Sequence, residues 1–252
     1  MVASVTVDRT LALLWRNHRP LAPAAKGAGR RPSLDVNEVV ATGIRLADSD
    51  GLTAASMGNV AKELGVGTMT LYTYAPSKDE LLELMVDQAL GERELPGPGE
   101  PRPGDWRAQV QLYSDQTQLM FQRHPWLSQV SPIRPPAGPG LLAAREYLLS
   151  VVSTLDLTPH DTNTAALAIS TYVDSAASLQ AESLLIERAS GQSHDSWWID
   201  RSDLWETYFD VERHPAMTAI WNAGGFTAGP NEVAAESYRY GLDRLLDGIA
   251  GA

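Results

Sequence analysis

What most constrains this chain is the spacing of its apolar residues. Pro and Gly cluster at residues 20–32, 95–104, 132–140 and 224–230, and between these breaks apolar side chains recur mostly every three or four positions. Val36, Val39, Val40, Ile44 and Ala47 set the pattern, one face of a helix that stops at Asp50-Gly51. Nothing comparable alternates at period two, so helices without strands are expected. The starts are marked as well. Ser77-Lys78-Asp79-Glu80 has the form of a capping box, in which Ser and Glu each satisfy an orphan N–H ahead of the run 81–90. Thr158-Pro159-His160-Asp161 opens a long helix reaching about residue 189. Further helices are expected near 105–124, 140–155, 202–213 and 231–249. The polar segment 190–200 has no apolar face and is expected to be a mobile loop. His124-Pro125 and His214-Pro215 are expected at helix ends.

Charge narrows the function. The net charge of -11 argues against a nucleic-acid partner until it is divided along the chain: residues 1–34 carry +5, 35–75 carry -3 and 76–252 carry -13. Phosphate binding needs a cationic face, so only the N-terminal end can meet DNA, and the acidic remainder helps orient it by repulsion. The absence of Cys excludes disulfides, thiolate nucleophiles and cysteine-held metals, and makes the cytoplasm the expected compartment. Residues 1–20 lack the form of a signal peptide, and no apolar run is long enough to suggest a membrane span. The usual catalytic motifs are missing and the five His are scattered, so no enzyme, cofactor or metal site is expected.

Residues 56–74 (SMGNVAKELGVGTMTLYTY) are the most informative. Met57, Val60, Ala61 and Leu64 form a stripe on a short helix, Gly65-Val66-Gly67 turns the chain, and Thr68 is placed to cap a second helix carrying Leu71. Ala61 lets two helices cross closely, Gly65 can take the left-handed conformation of a tight helix exit, and Val66 fills the space between them. A helix-turn-helix inserts the N-terminal end of its second helix into the major groove, which makes Thr68, Met69, Thr70, Tyr72 and Tyr74 the candidate DNA contacts. Their hydroxyls suit phosphates, and the Thr and Met methyls suit a thymine methyl. Tyr72 and Tyr74 have a second reading as partly buried core aromatics. Upstream, Arg30 and Arg31 precede Pro32 in a short basic segment suited to a narrow minor groove, or else to a solvated tail.

Residues 36–89, centred on GLTAASMGNVAKELGVGTMTLYTYAPSKDELLELMVD, resemble the DNA-binding domain of the tetracycline-repressor (TetR) family, and the end of the chain, YRYGLDRLLDGIAGA, resembles the last helix of its actinobacterial-type members. The pattern G-V-x-x-x-x-L-Y-x-Y followed by S-K-D-E-L-L carries the first resemblance. It implies an all-α fold: a basic arm over 1–34, a three-helix DNA-binding domain with its linker helix over 35–91, and a helical ligand-binding and dimerisation domain over 92–252. It also implies phosphate contacts from Ser56 and Lys78. Where family members often carry basic residues, this chain has Gly58 and Asn59, a departure for which the arm would compensate. The implied function is a repressor that binds a palindromic double-stranded operator as a homodimer and is released by a small molecule that swings the linker helix. A ligand-independent architectural DNA-binding protein and a helical small-molecule enzyme are the rival readings.

The C-terminal part is less specific. Trp126, Trp197, Trp198, Trp205 and Trp221, with Tyr113, Phe121, Tyr147 and Tyr172, either line an apolar ligand pocket or fill cores. Asp174, Ser175, Ser178 and Gln180 interrupt the long helix around Leu179 and either orient a ligand or face solvent. The small residues Ala165, Ala166, Ala168, Ala176 and Ala177 suit close packing within the chain or against a second copy. The palindromic reading of DNA by such motifs favours the second copy.

Overall fold

The computed structural model describes residues 9–18 and 34–251, and among these it is helical with no strand. The order is α1 (residues 9–14), α2 (Val36–Asp50), α3 (Met57–Glu63), α4 (Thr68–Leu71), α5 (Lys78–Leu90), α6 (Trp106–Arg123), α7 (Pro139–Val152), α8 (Pro159–Ser190), α9 (His194–Ile199), α10 (Pro215–Asn222) and α11 (Pro230–Ala250). Short 3-10 turns at Leu52–Ala54 and Pro125–Gln129 and a π turn at Leu204–Tyr208 fill three of the joints. The chain divides into two compact units, Met1–Glu182 and Ser183–Ala252.

In the first unit, α2 begins with a capping box: Asp35 accepts from the Asn37 N–H, and Glu38 accepts from the Asp35 N–H. Val39, Val40, Ile44 and Ala47 then bury against Leu81, Leu84, Met85 and Ala89 of α5 in one core. Each fully buried Leu contributes about 2 kcal/mol. Gly43 lets α2 pass α5, since a Cβ there would lie 2.8 Å from the Met85 sulfur. The same core runs on through Met120, Trp126 and Leu127, so packing crosses the boundary that the sequence places at residues 91–92.

Residues 9–14 belong to this body, although the basic arm was expected to span residues 1–34. Leu13 and Leu14 are buried in the core, Thr10 donates to Glu80 (2.9 Å), and the Trp15 indole donates to the Ala137 carbonyl (3.0 Å). Glu80 therefore does not complete the expected capping box. Ser77 caps α5 by accepting from the Glu80 N–H, while the Glu80 carboxylate serves α1. Helix α7 is capped from outside: Asp87 of α5 accepts from the Leu141 N–H (3.1 Å). Burial raises the Asp87 pKa, with the Leu141 and Gly140 N–H groups pulling against it.

The second unit departs most from expectation. Residues 190–200 were expected to be a mobile loop, yet Ser193 accepts from the Ser196 N–H and starts α9. Local capping outweighs the missing apolar periodicity there. The helix expected over 202–213 is only the π turn at Leu204–Tyr208, and His214 lies at a helix end as expected, but as the N-cap that opens α10 and not beside the last carbonyls of a helix. Aromatic rings then run in a chain, Trp205 to Trp221 (5.9 Å between centroids) and Trp221 to Phe226 (6.1 Å), all three exposed.

Candidate nucleic-acid interface

Helix α3 starts at Ser56, whose hydroxyl accepts from the Asn59 N–H (3.2 Å), and ends in a Schellman motif. The Val66 N–H reaches the Ala61 carbonyl (3.0 Å) and the Gly65 N–H the Lys62 carbonyl (3.1 Å), with Gly65 at φ +66°. Val66 packs partly buried on the core. The expected cap shifts by one residue: Gly67 is the N-cap of α4, and Thr68 is its first residue. Leu71, fully buried, anchors this single turn. Its other face is open, with Thr68 and Thr70 exposed, Met69 79% exposed and Tyr72 40% exposed. The two tyrosines part company here, because Tyr74 packs half-buried against the core. Lys78, the first residue of α5, is exposed.

Sequence reasoning missed one cation. Arg9 donates to the Thr73 carbonyl (3.1 Å), placing an exposed guanidinium just past the end of α4, where a positive charge also suits the helix dipole. Its signal was its place in the basic N-terminal stretch. Arg30 and Arg31 lie outside the described residues.

The ends of α2 and α5 are tied to the end of α6 by a buried histidine. His124, 2% exposed, sets Nδ1 2.8 Å from Asp48 of α2 and Nε2 2.9 Å from Glu92, just past α5. The Trp126 indole donates to the same Asp48 oxygen (2.7 Å) and Arg123 to the same Glu92 oxygen (2.9 Å). Burial alone would lower the His124 pKa, but hydrogen bonds donated by its ring to both carboxylates, together with their charges, raise it above the usual value. Glu92 is lowered: its burial opposes this, and the bonds to His124 and Arg123 outweigh it. The group borders an open cleft of about 520 Å³ between α2, α5 and α6. Trp126 and Phe121, candidates for a ligand pocket, belong to this core instead.

A second polar group lies in the helical part of the first unit. Arg93, its side chain 3% exposed, donates to the Tyr113 hydroxyl (2.9 Å), which donates to Asp174 of α8 (3.1 Å). Burial, partly opposed by the Arg93 charge, pushes the Tyr113 pKa up. Arg93 Nε and Thr117 Oγ1 are buried without a hydrogen-bond partner. Tyr147 of α7 is also buried, donating to the Gln109 carbonyl (3.0 Å). Of the other pocket candidates, Tyr172 is half-buried, whereas Ser175 and Leu179 are exposed. Trp198 lies in the second unit, 38% exposed, with its indole donating to His194 Nε2 (3.2 Å).

A two-helix reader with a buried anchor and an open polar-apolar face, joined by a linker helix to a helical companion, defines a helix-turn-helix transcription regulator. The chain belongs to the TetR family. Residues 39–85 match the model for bacterial regulatory proteins of the tetR family, and residues 97–252 match the tetracyclin repressor-like C-terminal domain. The HTH-type transcriptional repressor DrrR1 of Streptomyces coeruleorubidus is 34% identical over 243 residues, covering 96% of this chain and 85% of the relative. The repressor Rv1353c of Mycobacterium tuberculosis is 25% identical over 229 residues, covering 89% and 84%. Among solved structures, the Streptomyces coelicolor TetR family protein ActR in complex with actinorhodin superimposes with a TM-score of 0.71 at 26% identity, covering 88% of this chain and 98% of that one. ActR in complex with (S)-DNPA gives 0.68, also at 26% identity, covering 88% and 100%. Among the described residues no helix is long and apolar enough to cross a membrane.

Proposed function

We propose that this TetR-family repressor binds a palindromic operator as a cytoplasmic homodimer and is released by a small-molecule effector. The observation that carries the DNA reading is the anchored α4 with Thr68, Met69, Thr70 and Tyr72 turned to solvent, flanked by Arg9 and Lys78. Ligand response is supported by the buried Arg93 and Thr117 groups that have hydrogen-bonding capacity to spare, and by the ActR complexes with small molecules. Tyr113 and Tyr147 would wall such a site, and Tyr172 would stand at its edge. A second copy is supported by apolar side chains open to solvent on α8 (Leu167, Leu179) and, in the other unit, on α11 (Val233, Tyr240).

Selection of duplexes from a random pool by the purified protein tests the first half: an inverted repeat is the expected winner, and no enrichment over random duplex would refute operator binding. Thermal-shift screening of a metabolite and drug library tests the second. Saturable stabilisation coupled to release of the selected duplex is expected, whereas binding blind to every compound would point to an architectural protein. Replacing Arg30 and Arg31 together with Ala is expected to weaken binding to all duplexes and flatten the salt slope by up to about two units. An unchanged slope in a salt titration would remove the arm from the interface.

A further inference from the structure

Glu92 and Arg93 are adjacent, yet they engage different parts of the first unit. Glu92 accepts from His124, which also meets Asp48 of α2, whereas Arg93 runs into the helical core toward Tyr113 and Asp174. A neutral imidazole has one N–H and cannot donate to two carboxylates at once; only the imidazolium satisfies both. Losing its proton turns one of the two short contacts into a meeting of lone pairs.

We propose that the Glu92-Arg93 turn is the coupling element of this repressor: His124, shared as an imidazolium by Asp48 and Glu92, is a positioning residue that holds α2 to the end of the linker helix, and Arg93 subjects the same turn to the polar group in the helical core. This rests on the ligand-responsive reading only for what disturbs Arg93. Around His124 stand Asp48 and Arg45 from α2, Gln88 and Glu92 from α5 and the turn after it, Arg123 from α6, and the Trp126 indole. Arg45 is paired with Glu63 and Arg123 with Glu92, so the imidazolium is the cation that serves both helices' carboxylates. With the His124 pKa raised, the tie is complete below the ordinary value of about 6.5 and is lost as pH rises through the higher folded value.

The test measures affinity for the duplex that the full-length protein selects from a random pool, between about pH 6 and about pH 9, for wild type, His124→Gln, Arg93→Met and the double variant. His160→Gln, an exposed residue at the start of α8, is the control. Wild type and control should weaken together as pH rises. His124→Gln should bind roughly 3- to 30-fold less tightly at low pH and lose that pH dependence. The double variant should fall short of the summed single effects, because both changes release one turn. Ring-nitrogen NMR of wild type should show one histidine still doubly protonated above its ordinary value of about 6.5. A His124→Gln profile parallel to wild type, additive variants, or all ring nitrogens titrating normally would each overturn the proposal. Should His124→Gln fail to fold, the wild-type NMR titration decides. None of these readings uses an effector, so a failed ligand search and a failed coupling element remain distinguishable.

Discussion

Replacing Gly140 with Ala is expected to cost about 3 kcal/mol or more of folding stability. A Cβ at Gly140 would lie 2.1 Å from the Asp87 carbonyl oxygen and 2.7 Å from the Gly91 nitrogen. Both obstacles are backbone, so no side chain can turn aside, and α7 must withdraw from the last turn of α5. Overpacking alone costs about 1–3 kcal/mol. Withdrawal also breaks the bond from the Leu141 N–H to Asp87, leaving a buried carboxylate and a helix N-terminus unsatisfied for about 1–3 kcal/mol more. Urea denaturation should show the midpoint fall. Gly58→Ala is the matched control: nothing lies within 4 Å of its Cβ, and Ala in α3 should be neutral or stabilising by up to about 1 kcal/mol. Equal behaviour of the two variants would show that α5 and α7 do not approach this closely.

That close approach could not be seen in the sequence, where Gly138 and Gly140 stand among prolines at the joint before an expected helix. What sequence shows well is local: the three-and-four rhythm of α2, the Schellman exit at Gly65, and the starts at Ser77 and Thr158 all rest on residues a few positions apart. What it shows poorly depends on partners distant along the chain. Glu80 abandons its half of the capping box because Thr10 comes to meet it, and α7 takes its cap from Asp87. Trp126 looked like a pocket aromatic but fills the core beneath α2, drawn there by the bond from its indole to Asp48. His124-Pro125 was legible as a helix end; that both ring nitrogens would find carboxylates 76 and 32 positions upstream was not. The candidate DNA contacts fared by the same rule. Leu71 anchors α4 as its spacing implies, while the division of roles between Tyr72 and Tyr74 needed the packed core to decide it.

The most exposed of these candidates should have the most selective effect on DNA. Met69 stands 79% exposed on a helix with no charged residue, so the contribution expected of it is apolar contact with a base edge and not phosphate attraction. Met69→Ala is expected to weaken binding to the selected duplex by about 1–3 kcal/mol, roughly 5- to 150-fold, and to relax discrimination at one or two base pairs. Its binding to random duplex should be unchanged. Lys78→Ala should do the opposite, weakening selected and random duplexes by a common factor and reducing the salt slope by about one unit. Both substitutions are at exposed positions, so neither should alter folding stability by more than about 0.5 kcal/mol. Anisotropy titrations of both duplexes at two salt concentrations separate the two behaviours. If Met69→Ala instead lowers affinity for every duplex alike, α4 grips the backbone without reading bases, and selectivity must come from the minor-groove side or from the shape of the DNA.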